Sequence, residues 1–244
     1  MKKFIKMSCV MLLLTLSVMF VACNGPMTLW QADFTKGNEN VFGVYGTPVE
    51  NKEKGYVTLN PVEGQNYSSS TYFGKNDTKN FPWENGGLTV SLTVEVKKSE
   101  LTDGKYAVWS LALNETDGKY ITEEPVFFIG DSDGVYFLYK FTGVENDYNA
   151  LKNDENAVKI NDGKYTVHYI FTVNDKDELQ LKVTLNNDMN MEVFKSENNQ
   201  VTAIDHEGYT SGAILKQSNI SGLRYLWLAR TNTPVNVYGL KVCR

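Results

Sequence analysis

The sequence predicts an all-β chain folded as an antiparallel two-sheet β-sandwich, and three observations carry that prediction. Apolar and polar residues alternate strictly in several windows, above all Lys164 to Asn187. Turns rich in Gly, Asn and Asp separate these windows at short intervals. No amphipathic helical stretch of ten or more residues stands out beyond residue 22. Alternation is period 2, the pattern of a half-buried strand, because successive side chains point to opposite faces.

In the window Lys164 to Asn187, Tyr165, Val167, Tyr169, Phe171 and Val173 share one parity. Thr166, His168 and Thr172 share the other, with Ile170 the apolar exception. Leu179, Leu181, Val183 and Leu185 then alternate with Gln180, Lys182 and Thr184. The five polar residues Asn174 to Glu178 suit a short antiparallel connection, so the pair reads as a β-hairpin. This parity places Tyr165, Val167, Tyr169, Phe171, Leu181 and Val183 inside.

In chain order, Lys2, Lys3 and Lys6 precede an apolar run, Met7 to Ala22, that is short for a membrane span. Phe20-Val21-Ala22-Cys23 resembles the lipobox of bacterial lipoproteins, with Phe20 where Leu is usual. The segment divides as a lipoprotein signal peptide over 1–22, a short tether over 23–26 and one β-sandwich domain over 27–244. Cleavage would leave Cys23 to carry several acyl chains, enough for stable anchoring. That places the protein in the cell envelope of a diderm bacterium, at the outer membrane.

Met27 to Phe34 is an apolar segment, followed by a loop rich in Gly and Asn. Tyr56 to Leu59 reads as a strand, and residues 74–87 as a loop carrying Phe81, Pro82 and Trp83. Leu88 to Val96 alternates cleanly. Tyr106 to Leu113 is apolar on both parities, as expected of a strand covered on both faces. Asn114 to Tyr120 reads as a turn, Val126 to Ile129 as a strand, and Asp131 to Gly134 as a turn into Val135 to Phe141. Residues 142–163 read as a polar connection, Met189 to Phe194 as a continuation of the hairpin, and 195–212 as a loop. Leu223 to Ala229 and Val235 to Val242 are the last two strands.

Removing the three leader lysines takes the formal charge from −5 to −8, and no basic stripe is present. Nucleic acid is therefore excluded as a partner. With Cys9 removed and Cys23 acylated, Cys243 is the one cysteine left, so the fold relies on its core.

The early strand, GGLTVSLTVEV, the long hairpin KYTVHYIF to LQLKVTLN and the final VNVYGLKV resemble the concanavalin A-like lectin/glucanase superfamily, which includes laminin-G-type domains. The resemblance covers nearly the whole chain after the leader. It implies a jelly roll whose N- and C-terminal strands pair, and a carbohydrate ligand. Glycanases of the superfamily carry a Glu-x-Asp-x-x-Glu-like strand motif. The nearest match here, Ala203 to Glu207, has Ala at the nucleophile position, so no catalytic residue is assigned.

Calcium is common in these sandwiches, yet Asp131-Ser132-Asp133-Gly134 reads as a plain turn and no motif supports a cofactor. Two histidines and one free cysteine give no zinc spacing.

Aromatic residues point toward sugars, whose apolar C–H faces stack on rings. The candidate ligand contacts are Trp83 and Asn85 in the loop, Arg224 and Arg230 on a late strand, and His168, which reads first as a hydrogen-bonded or solvated sheet histidine. Trp109 and Trp227 read first as core. The expected function is a lipid-anchored envelope protein that binds glycans or glycoconjugates through a sandwich face and loops. The alternatives are a glycan-processing hydrolase with an unrecognised carboxylate pair, and a structural or accessory subunit of an envelope complex.

Overall fold

The computed structural model describes residues 27–37, 48–62, 70–72, 87–117, 120–139, 151–196, 202–203 and 214–244. The fold is all-β. Its strands are β1 (Thr28–Gln31), β2 (Val49–Asn51), β3 (Tyr56–Leu59), β4 (Ser70–Tyr72), β5 (Leu88–Val96), β6 (Tyr106–Glu115), β7 (Tyr120–Asp131) and β8 (Gly134–Tyr139). They continue as β9 (Val158–Ile160), β10 (Gly163–Val173), β11 (Leu179–Asn187), β12 (Glu192–Lys195), β13 (Thr202–Ala203), β14 (Ile220–Thr231) and β15 (Val235–Cys243).

Two antiparallel sheets result. Sheet A runs β12-β11-β10-β5-β15-β3-β2, with β1 also on β15 and β13 also on β11. Sheet B runs β4-β14-β6-β7-β8-β9. The alternation seen in the sequence becomes inside and outside here. Leu88, Val90, Leu92, Val94 and Val96 of β5 are buried, and so are Tyr165, Val167, Tyr169 and Phe171 of β10. Leu181 and Val183 of β11 are buried beside them. These residues meet Trp109, Leu111, Phe128, Phe137 and Leu223 of sheet B in one continuous core. The ring of Phe137 on β8 contacts that of Phe194 on β12 edge-on, with centroids 5.0 Å apart, which ties the two sheets together.

The hairpin expected at Lys164 to Asn187 pairs in register from Tyr165↔Asn187 to Val173↔Leu179. Its connection is built by Asn174, whose Oδ1 accepts from the N–H groups of Lys176 and Glu178. Gly87, just before β5, must be glycine. Its φ is +110°, and a Cβ there would lie 2.1 Å from the Phe171 carbonyl oxygen. The implied pairing of first and last strands is present, since β1 runs antiparallel to the end of β15 and Met27 exchanges both backbone hydrogen bonds with Arg244.

Several readings are corrected. The expected connection 142–163 contains β9, whose Ile160 is buried beside β8; a three-residue strand with one buried side chain is too short to give a periodic signal. The turn read over 114–120 is narrower, because β6 extends to Glu115 and β7 begins at Tyr120, so the strand read as Val126 to Ile129 is longer. Met189 to Phe194 continues the hairpin as read, in the form of a third antiparallel strand. The chain reverses through Asn190, whose φ is +58°, and returns as β12 along the β11 edge. The expected loop 195–212 holds the short β13.

β6 is covered on both faces, as its apolar parities predict. Trp109 lies in the inter-sheet core, while Val108 joins Phe127, Ile129, Leu138 and Leu151 in a second cluster on the far side. Leu151 belongs to a run of turns over 151–157, which Lys152 ties to Asp131 at the β7–β8 turn, 2.6 Å away.

Candidate functional site

The outward face of sheet A carries a depression of about 330 Å³ at the meeting of β1, β5, β10 and β15. Its lining follows from strand parity. The residues alternating with the buried ones on β5 are Thr89, Ser91 and Thr93, and on β10 they are Thr166 and His168. On β15 a bulge between Val237 and Gly239 resets the phase, so Gly239, Lys241 and Cys243 contribute to the lining, and β1 adds Gln31. Residues directly opposite on antiparallel strands sit side by side. The register therefore lays out one polar row, Thr184, His168, Ser91, Lys241 and Gln31, across five strands. The next row is Thr166, Thr93 and Gly239, where the missing side chain opens the floor.

Within the depression, Ser91 Oγ and His168 Nδ1 are 2.8 Å apart, and Thr93 Oγ1 and Thr166 Oγ1 are 3.0 Å apart. The imidazole is half-buried, and burial pushes its pKa below the ordinary 6.5, so the ring is neutral near pH 7. With Nδ1 on Ser91, Nε2 remains to donate to or accept from a ligand. Cys243 is buried at the edge, its Sγ 3.9 Å from Thr28 Oγ1.

The row above belongs to Glu95. Burial raises its carboxyl pKa, but the hydrogen bonds from Asn236 (2.9 Å) and Lys97 (2.9 Å) and the nearby lysine charges outweigh that and hold it below the ordinary value. Asn236 in turn accepts from Thr58, 2.7 Å away. Beside them, Tyr238 is capped by Lys164, whose Nζ lies 3.6 Å from the ring centroid.

The structure separates the residues that the sequence singled out. His168 lines the sheet A depression, whereas Arg224 and Arg230 belong to β14 of sheet B. Bulges interrupt β14 between Leu223 and Tyr225 and between Leu228 and Arg230, so Leu228 stands opposite Trp109 and Arg230 opposite Val108. Trp109 is fully buried, as read; of Trp227 the register alone is described, opposite Ser110. Trp83 and Asn85 lie outside the described residues, as do Asp205 and Glu207. Sequence reasoning missed Ser91, Thr93, Lys241 and Gln31. The alternation of β5 marked Ser91 and Thr93 as outward, but only strand order and the bulge on β15 make Lys241 and Gln31 their neighbours.

Among the described residues no group of three or more His, Cys, Asp or Glu side chains is placed to hold a metal. Among the described residues that line the depression there is no carboxylate.

No protein-family model matches the chain, and no curated protein does either. Among solved structures it is similar to an endo-β-1,4-glucuronan lyase from the fungus Trichoderma reesei, with 8% identity, 89% of this chain and 95% of that one covered and a TM-score of 0.48. It is similar to the alginate lyase Aly36B, with 10% identity, 91% and 92% covered and a TM-score of 0.42. It is also similar to a seed lectin of Lotus tetragonolobus, with 10% identity, 88% and 99% covered and a TM-score of 0.40. With a tenth of residues or fewer shared, no side chain of the depression is carried over from any of them.

Proposed function

We propose that this protein binds a glycan or glycoconjugate in the depression on sheet A and is held in the bacterial cell envelope by a lipid on Cys23. The observation that supports the binding reading is the composition of the lining. Four hydroxyl side chains, an imidazole, an amide and an ammonium converge around a floor opened by Gly239. Each can donate to or accept from the hydroxyls of a sugar ring, and the volume is at the lower end of the range for ligand sites. The described lining offers polar contacts, and the neighbouring ring of Tyr238 is covered by Lys164.

Anchoring is supported by the lipobox-like residues and by the geometry that follows them. Met27 is fixed to Arg244 at the edge of sheet A, four residues after Cys23. Four extended residues span at most about 14 Å, so a lipid on Cys23 would hold this edge close to the bilayer.

Among the described residues the depression offers no carboxylate pair for a two-carboxylate hydrolase, and Glu95 in the row above is engaged by Asn236 and Lys97. The test is a glycan array probed with the full chain in detergent, in parallel with Gly239→Leu. A Cβ at Gly239 meets only ordinary contacts, 3.5 Å from Thr93 Oγ1, so a larger side chain can leave the backbone there and occupy the depression. Binding that disappears in the folded variant is expected; binding retained in full would place the ligand elsewhere.

A further inference from the structure

The depression differs in charge from the chain around it. Acids outnumber bases, 29 to 24, yet the described residues of the lining include one lysine and no acid. Lys241 stands opposite Ser91 on one side and Gln31 on the other. Among the described residues its ammonium makes no ion pair, while most other lysines of sheet A and its borders are engaged: Lys97 with Glu95 and Glu100, Lys195 with Glu192, Lys216 with Glu178, Lys164 with the Tyr238 ring. An ammonium set among neutral donors and acceptors is a point of positive potential with its pairing capacity unspent.

The spacing fits a single substituted ring. Lys241 and His168 flank Ser91 on the adjacent strands, so their backbones are about 10 Å apart. A sugar ring lying across β5 would meet Ser91, Thr93, Thr166 and His168 with its hydroxyls. A charged substituent at its end would reach Lys241. Among the described residues, the Tyr238 ring beside the depression is covered by Lys164.

We infer that the depression selects saccharides bearing an anionic group, a carboxylate or a sulfate ester, through an ion pair with Lys241, with Gln31 donating its side-chain amide beside it. This rests on the glycan-binding reading and adds the class of sugar to it.

The experiment is calorimetric titration of the full chain in uncharged detergent with three oligosaccharides of equal length: a galacturonan, a sulfated galactan and a neutral galactan. At about 50 mM salt, at least one anionic oligomer should bind tenfold or more tightly than the neutral one. The advantage should shrink as salt rises and shortens the range of charge attraction. Lys241→Gln should bring the ratio close to one, Lys241→Arg should keep it, and Lys54→Gln on the exposed β2–β3 turn should not alter it. The ratio between the two anionic oligomers then distinguishes carboxylate from sulfate. Equal binding of all three, or a preference that survives Lys241→Gln, overturns the inference and leaves the glycan site standing. Failure of all three to bind overturns the glycan reading itself.

Discussion

Ser91 Oγ and His168 Nδ1 lie 2.8 Å apart across β5 and β10, on the outward side of the strands whose inward side builds the core. The same alternation that buries Val90, Leu92 and Tyr169 therefore sets this polar pair at the centre of the sheet A depression. The core-facing side chains of β5 and β10 thus set the strand register that brings this pair together.

The first prediction follows from the half-buried imidazole. Burial lowers the His168 pKa in the folded state below the ordinary 6.5. Between those two values the unfolded chain binds more protons than the folded one. Stability contributed by the neutral ring is thus complete above pH 6.5 and lost as pH falls through 6.5 toward the folded value. Chemical denaturation across pH 5 to 8 should show this slope, and His168→Gln should flatten it. An unchanged slope in the variant would assign it to other groups.

The second prediction concerns the core. Phe171 is 1% exposed and lies between β5 and β11 on the inward face. Phe171→Ala removes its burial and leaves a cavity, at a cost of about 3–5 kcal/mol. A loss within about 0.5 kcal/mol, the range of surface sites, would contradict the packing described.

A third outcome is expected at the β7–β8 turn. The hydrogen bond from Lys152, followed by that from the Ser132 N–H, pulls the Asp131 carboxyl from 3.8 down to about 2. Its contribution is present above pH 3.8 and fades as pH falls to about 2. Asp131→Asn breaks the ion pair that ties the 151–157 turns to this end of sheet B. Amide hydrogen exchange at Leu151 to Ala157 should accelerate in the variant while β10 and β11 stay protected. Uniform acceleration would mean that the turns are held by other contacts.

The fourth prediction is that Cys23 carries the lipid. Cys23→Ser should abolish incorporation of labelled palmitate and partitioning into detergent. A variant that still does both would remove the anchor from the account.

What could be read in the sequence divides along physical lines. Alternation is local, so β5, β10 and β11 and their buried faces were legible, down to Tyr165 and Phe171. β9 was not, because three residues with one buried side chain carry no period. Bulges also defeat parity: on β14 they re-phase Arg230 relative to Leu228, and on β15 they turn Gly239 and Lys241 toward Thr93 and Ser91. His168 was recognisable as an outward polar residue. Its partners were not, since Ser91 lies 77 residues away and becomes a neighbour only through the order β10-β5-β15.

The most direct test of the glycan site is an amide shift map of the isotopically labelled full chain in detergent, titrated with the tightest-binding oligosaccharide. Shifts are expected to concentrate at Gln31, Thr89, Ser91, Thr93, Thr166, His168, Gly239 and Lys241. Shifts clustered on β6, β7 and β14 of sheet B, with these residues unmoved, would contradict a site there.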